Sequence, residues 1–407
     1  MLSYEDAISR ILGSISPLDI VEQPLLNALG SIVASRVASR TDLPPFDNSQ
    51  MDGYALLAAN TANAYPDQPS HLKVIGEVPA GSIPSVTVAP GSAVRIFTGA
   101  AMPDGADAVV MVEDTKASDD KSTVDVFERA TTGQYVRRAG EDARAGELVI
   151  DAGQVVTPGV IALAAAAGHA TLPVHKRPRV AIISTGDELI SPGGALALGQ
   201  IFESNSYAVA AQVAEAGGEC VAMLRAADNA ESLRQALDDA AASAADVIVS
   251  SGGVSVGDYD LVKAVFGERG DVDFWRVAIR PGKPFAFGKH GDTLFFGLPG
   301  NPASAMVTFE LFVRPALRAL AGHAKPQRPL TTALLTEAVS HSRGRRSYLR
   351  AFATNTADSL MVTPLRHQGS HLLRPLAAAN CLLIVPEDVD GIGAGDAAEV
   401  ILYGELG

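Results

Sequence analysis

The sequence predicts a multidomain α/β protein, with a central, mainly parallel α/β sheet domain flanked by small β domains and an N-terminal linker domain. Three observations predict it. From residue 179 onward apolar runs alternate with helix-like patterns. Runs such as Val247-Ile248-Val249 and Leu294-Phe295-Phe296 are continuous, as strands buried on both faces are. On either side, residues 55–136 and 330–407 carry short strand-like runs broken by Gly and Pro. A length of 407 residues is enough for several cores.

Taken in order, residues 3–12 and 24–37 have helical spacing (Ala7, Ile8, Ile11 and Leu12, then Leu25, Leu26, Leu29, Ile32 and Val33). Thr41 to Tyr54 holds two adjacent prolines and an Asn/Asp/Ser cluster, which reads as a loop of fixed backbone. Asp47 and Asp52 are its candidate acids, and both also suit turn caps. Strands are expected at His71 to Glu77, Ala93 to Phe97, Ala108 to Glu113 and Thr123 to Phe127. Thr98 stands beside a glycine turn, as a ligand contact or a turn residue. Val136 to Asp142 sets two cations and two acids around a glycine. A short helix is expected at 158–168.

The α/β part starts with a strand at Arg179 to Ser184 that ends in Thr185-Gly186-Asp187-Glu188. A helix follows at 204–216, a strand at 220–225 with Asp228 beyond its carboxyl end, and a helix at 231–243. After the central strand come a helix from about 260, a strand at 272–279, and a helix with Asn301 as N-cap and Pro302 at N1. Ligands of such sheets bind beyond the carboxyl ends of the strands. Thr185 to Glu188, Asp228, Ser250 to Asp260 and Pro299 to Ser304 all fall there. Pro326 to Pro329 reads as a linker, and the strands at Tyr348 to Ala353, Cys381 to Val385 and Ala398 to Leu402 read as a small barrel.

The chemistry concentrates between Asp246 and Ala305. Turns at Ser250 to Gly253 and Pro299 to Pro302 would leave N–H groups free at helix starts, where anions bind. Between them, Arg280-Pro281-Gly282-Lys283-Pro284 fixes the backbone and projects two cations. With Asp258 and Asp260 nearby, the segment suits a phosphorylated substrate and a divalent metal, since converging acids need a cation between them. An ordinary crossover with glycines for tight turns stays open on this segment alone.

A formal charge of −14 excludes a broad nucleic-acid or acidic-membrane face. Cations cluster locally at Arg276, Arg280 and Lys283 and at Arg343, Arg345, Arg346 and Arg350. The two cysteines, Cys220 and Cys381, lie in apolar runs as core residues of a reducing compartment. The start lacks signal-peptide character, and the longest apolar tract, Val160 to Ala167, is far short of a membrane span. The expectation is a cytoplasmic protein.

Seven separated motifs, in order, resemble the MoeA family of molybdopterin molybdenumtransferases, also found as the gephyrin E domain. They are Asp47 to Ala55, Thr98-Gly99-Ala100 with Gly105 to Val110, Gly140-Glu141-Asp142, Thr185 to Leu189, Ser251 to Gly257, Pro281 to Pro284 and Gly297 to Pro302. The resemblance spans essentially the whole chain and implies four domains: 1–47 with 137–176 (linker), 48–136 (small β), 177–326 (α/β, molybdopterin-binding) and 327–407 (barrel). It also implies an activity, the transfer of molybdate to adenylylated molybdopterin with release of AMP, using Mg2+.

In that reading Arg280, Lys283, Ser304, Arg350 and Ser370 hold molybdate, Gly252, Gly253 and Ser255 the adenylate phosphate, and Thr98 is a further substrate contact. Asp52, Asp142, Glu188, Asp228 and Lys283 would be catalytic, and Glu188, Asp228, Asp258 and Asp260 would bind metal. The resemblance further implies a homodimer with Asp52 and Lys283 contributed by different chains. Expected protein partners are a molybdopterin adenylyltransferase and recipient molybdoenzymes. Two alternatives remain, molybdopterin adenylylation and a non-catalytic scaffold. Arg280 stands where the family usually has Lys, Gln50 where it usually has Ala, and Gly369 to Pro375 departs from relatives with serines there.

Overall fold

The structure, a computed structural model, describes residues 1–252, 265 and 271–406. The chain forms two compact units, one of Met1–Val21, Gly30–Ala34 and Pro173–Gly407, the other of Glu22–Leu29 and Ser35–Leu172. Among the described residues no helix is long and apolar enough to cross a membrane.

The larger unit is built on a six-stranded sheet. Its strands are β1 (Arg179–Thr185), β2 (Glu219–Ala226), β3 (Val247–Ser251), β4 (Asp271–Arg276), β5 (Pro284–His290) and β6 (Thr293–Leu298), in the spatial order β2-β1-β3-β6-β5-β4. The first four of that order are parallel, and β5 and β4 add antiparallel. Helix α1 (Asn205–Glu215) lies between β1 and β2 in the chain, and α2 (Ala230–Ala242) between β2 and β3. Val180, Ile182, Val247, Val249 and Phe296 enter one core with Phe285 and Phe312, whose rings stack at 4.5 Å. The alternate residues Ala181, Ile183, Ile248 and Phe295 enter a second core with Leu233 and Leu237 of α2. Both faces are covered, which is why these strands read as unbroken apolar runs.

The helix expected at the start of the chain is present at Tyr4–Gly13. Ser3 caps it by accepting from the Asp6 N–H at 3.0 Å, and Ala7, Ile8 and Ile11 pack into the first core. The helix expected at 24–37 is not. Leu25 to Gly30 is a turn, Gly30 has φ +78°, and Val37–Ala38 is a strand. Glycine in the left-handed region ends a helix. The β-branched Ile32 and Val33 then favour extended backbone, and Val33 bridges to Val174. The strand expected at 272–279 divides. Asp271–Arg276 stays in the sheet, while Ile279–Arg280 pairs in parallel with Arg346 and Ser347. Pro281 offers no N–H and Gly282 takes φ +108°, so no strand continues past Arg280.

The C-terminal strands form a closed five-stranded barrel. Arg346–Asn355 pairs with both Leu360–Pro364 and Cys381–Val385, and the circuit passes through Leu330–Leu335 and Ala397–Leu402. Ala333, Leu335, Ala351, Ala353, Cys381, Leu383 and Val400 fill it.

The smaller unit carries a second six-stranded sheet, ordered Ala108–Met111, Gly53–Leu56, Ser92–Ile96, Ser70–Val78, Thr123–Val126, Thr115–Ala117. Its residues alternate between two cores, for example Tyr54 and Leu56 into one and Ala55 into the other. Gly53 and Tyr54, expected to end the loop, instead open the strand Gly53–Leu56, because its neighbours come from distant parts of the chain. A Cβ on Gly53 would stand 1.9 Å from the Val110 carbonyl oxygen, so only glycine fits. The short helix runs from Pro158 to Ala166, capped by Thr157.

Candidate functional site

The carboxyl ends of the parallel strands enclose a cavity of about 250 Å³ in the larger unit. Thr185, Gly186 and Glu188 reach it from β1, Asp228 from beyond β2, Ser251 and Gly252 from β3, and Gly300 and Pro302 from beyond β6. Backbones approach closely here. Gly252 has φ +91°, and a Cβ on it would lie 2.7 Å from Thr185 Oγ1 and 2.9 Å from the Thr185 carbonyl oxygen. Asn205, which the motif reading passed over, ties two strand ends together. Its Nδ2 donates to Ser251 Oγ at 2.9 Å and to the Gly300 carbonyl at 2.7 Å. The carboxylates of Asp187 and Asp228 each accept the other residue's N–H, at 3.3 and 3.4 Å, and fix both loops. Thr185 Oγ1 is buried without a partner.

Two details revise the expected N–H cradles. The Gly252 N–H donates to the Leu298 carbonyl at 3.2 Å, and the Ala303 N–H to the Ser370 carbonyl at 2.9 Å. Gly252 therefore supplies space for a ligand, and its own donor is already used. Asn301 precedes the helix Pro302–Thr308 as expected, with Pro302 opening it.

A second cavity of about 560 Å³ opens between the α/β sheet and the barrel of the same unit. Arg280, Lys283, Ser304, Arg350 and Ser370, expected together from the sequence, all line it. Arg345, from the cation cluster noted in the sequence, and Arg366, which was not expected, add two cations, and Glu337 is the lone acid of the lining. Arg280 and Lys283 are exposed, and neither has a carboxylate partner among the described residues. Gly282 between them is packed so tightly that a Cβ would meet Thr308 Cγ2 at 2.4 Å.

Arg350 is the unusual member. It is 1% exposed, yet no described carboxylate pairs with it. Its Nη2 donates to the Gly369 carbonyl at 3.1 Å, and its Nε has no partner. Burial pushes its pKa down from the usual arginine value. Gln368 secures its backbone, accepting from the Arg350 N–H at 3.0 Å and donating to the Arg350 carbonyl at 2.8 Å. A buried cation of this kind is stabilised by an anion that enters the cavity. Pro302 lines the first cavity and Ser304 the second, so both open onto the first turn of the same helix.

Asp52, Thr98 and Asp142 belong to the smaller unit. Asp52 Oδ1 accepts both the Thr98 N–H, at 2.7 Å, and the Thr98 hydroxyl, at 2.8 Å. The Thr98 backbone and then its side chain hold the Asp52 carboxyl below the usual carboxylate range. Asp47 pairs with Arg138 at 2.6 Å and accepts the Ala139 N–H at 2.8 Å, a structural tie between loops. Asp142 is exposed. Gly253, Ser255, Asp258 and Asp260 lie outside the described residues. Among the described residues no three His, Cys, Asp or Glu side chains group as metal ligands. Cys220 and Cys381 are free thiols, Cys381 fully buried, as expected of core residues.

Three family models match the chain: the MoeA N-terminal region (domain I and II) over residues 2–168, a probable molybdopterin binding domain over 181–319, and the MoeA C-terminal region (domain IV) over 332–403. Molybdopterin molybdenumtransferase 2 of Mycobacterium tuberculosis H37Rv is 43% identical over 98% of both chains. The chain belongs to the MoeA family. A molybdopterin molybdenumtransferase of Haemophilus influenzae is 35% identical over 100% of both chains. Among solved structures, a molybdopterin biosynthesis MoeA protein from Pyrococcus horikoshii OT3 superposes with TM-score 0.82, at 30% identity over 99% of this chain and 100% of that one. The multidomain α/β fold is that of the MoeA family, and the cavity rich in unpaired cations lies where the MoeA-like motif around Lys283 meets the barrel.

Proposed function

We propose that this chain is a molybdenum insertase of molybdenum cofactor biosynthesis, which transfers molybdate to adenylylated molybdopterin and releases AMP. The observation that carries the reading is Arg350, a buried guanidinium without a carboxylate among the described residues, in a cavity that also holds Arg280 and Lys283, likewise unpaired there. A dianionic oxyanion supplies the charge that this cavity lacks. Ser304 and Ser370 supply hydroxyls to it. The neighbouring cavity at the strand ends takes the adenylylated pterin, so the two anions face each other across the start of the helix Pro302–Thr308.

The residues act mainly by position and electrostatics. Arg280, Lys283 and Arg350 offset repulsion between molybdate and the phosphates, which otherwise prevents the dithiolene sulfurs from reaching the metal. Glu188 and Asp228 orient the pterin-bearing ligand or the water that cleaves its phosphoanhydride. Asp52, set by Thr98, and Asp142 complete the catalytic set in this reading. The hard oxygen donors Glu188 and Asp228 line one cavity and fit Mg2+. When bound, Mg2+ neutralises charge on the phosphoanhydride.

The protein works as a homodimer in this account and receives its substrate from an adenylyltransferase for delivery to molybdoenzymes. The test is incubation with adenylylated molybdopterin, molybdate and Mg2+, with AMP and active cofactor as readouts. Consumption of ATP with release of pyrophosphate from molybdopterin would instead identify an adenylyltransferase.

A further inference from the structure

The anion cavity contains a histidine to which neither the motifs nor the family resemblance gives a role. His341 lines it, and its Nε2 is buried without a hydrogen-bond partner. The position of the ring is fixed from two sides. The His341 N–H donates to the Asp390 carbonyl at 2.8 Å, continuing the pairing of Val339 and Ser340 with Ile392 and Gly391. On the ring itself, Nδ1 lies 3.1 Å from Ser347 Oγ. Ser347 is 2% exposed and pairs directly with Arg280, and it stands three positions before Arg350 on the same strand. The serine that meets His341 thus lies opposite Arg280, on the strand that carries Arg350.

We infer that His341 is an oxyanion-binding residue of this cavity: Ser347 donates its hydroxyl proton to Nδ1, which leaves the proton of the neutral ring on Nε2 as a donor to bound molybdate. In a neutral imidazole one nitrogen accepts and the other donates, so a hydroxyl donating to Nδ1 selects the Nε2–H tautomer. A buried donor without a partner costs stability until a ligand satisfies it. In a cavity lined by arginines and a lysine, the ligand that satisfies it is an anion with oxygen acceptors. The inference rests on the reading of the cavity as a molybdate site and adds a neutral, directional donor to its cations.

Two substitutions separate this role from a purely structural one. His341→Asn keeps a polar atom near Nδ1 to hold Ser347 but removes the donor at Nε2. His341→Gln places an amide N–H near Nε2 and gives up the Nδ1 contact. Molybdate binding to the full-length chain is measured by titration calorimetry, alongside the melting temperature of each variant. His341→Gln is expected within about threefold of the unsubstituted protein, and His341→Asn weaker by roughly tenfold, the loss of a hydrogen bond to a charged ligand. Turnover of His341→Asn should show a raised KM for molybdate with kcat little changed. The reverse order, with Asn tolerated and Gln damaging, would make His341 a tether for Ser347 and overturn the inference, as would equal affinity in both variants. Should either variant melt early, Ser347→Ala takes its place: it frees the tautomer and is expected to weaken molybdate binding, and unchanged affinity overturns the inference. Failure of the unsubstituted protein to bind molybdate would contradict the functional reading itself.

Discussion

Replacing Arg350 by Met should abolish most molybdate binding while leaving the protein as stable as before, or more so. Two terms set the stability. The substitution removes the hydrogen bond from the charged guanidinium to the Gly369 carbonyl, worth about 1.5–3 kcal/mol. It also removes a cation that is 1% exposed and has no described carboxylate partner. Replacing even a buried ion pair by apolar residues is often neutral or stabilising by about 1–4 kcal/mol, and a cation with no described carboxylate has less attraction to offset its desolvation. Binding should respond in the opposite direction. Truncating one partner of a buried charge pair costs about 2–5 kcal/mol, a factor of at least roughly 30 in affinity. At a molybdate concentration of about 100 times Kd, the ligand stabilises the unsubstituted protein by about 2.7 kcal/mol, and after a 30-fold loss by only about 0.9 kcal/mol. Thermal melts with and without molybdate read both effects. A variant that melts several degrees lower yet keeps its full molybdate-induced shift would refute the assignment of Arg350 to an anion.

Three further outcomes follow from the same geometry. Gly282→Ala puts a Cβ 2.4 Å from Thr308 Cγ2 at φ +108°, so it should cost about 1–3 kcal/mol and raise the KM for molybdate by displacing Lys283. Normal urea denaturation and normal KM would contradict this. Burial, reinforced by Arg318 and Arg314, lowers His323 from 6.5 to about 4. The unfolded chain therefore takes up this proton first, and stability present above pH 6.5 is lost as the pH falls toward 4. His323→Gln should flatten the urea-midpoint profile between about pH 6.5 and 5, and an unchanged slope would remove His323 from that loss. Asp52→Asn should lower AMP release with little change in melting temperature, because Asp52 is exposed and, among the described residues, its side chain hydrogen-bonds only with Thr98. A parallel drop in both would make Asp52 structural.

Much of the α/β architecture was legible because its signals are local. Apolar runs at 247–249 and 294–296 gave buried strands, and Asn301-Pro302 gave a helix start. Rim residues such as Glu188, Asp228 and Gly252 followed from the rule that ligands sit beyond the strand ends, and one cavity collects them. What stayed hidden depends on long-range pairing. His341, Ser347 and Arg366 join the anion cavity where the barrel meets the sheet, with Arg280 set opposite Ser347 some sixty-seven positions away along the chain. The N–H groups of Gly252 and Ala303 looked free, but carbonyls of Leu298 and Ser370 take them. The helix expected at 24–37 failed for a local reason that outweighs periodicity. Gly30 turns the chain at φ +78°, and Leu26 of the expected apolar stripe is 81% exposed.

The central claim is that molybdate transfer and AMP release are coupled in this chain. Its most direct test is the amount of AMP released from adenylylated molybdopterin as molybdate is titrated at fixed enzyme and Mg2+. The account predicts AMP that rises with molybdate, saturates, and matches the molybdenum recovered in the cofactor mole for mole. AMP release that is independent of molybdate, or its absence at saturating molybdate, would contradict it.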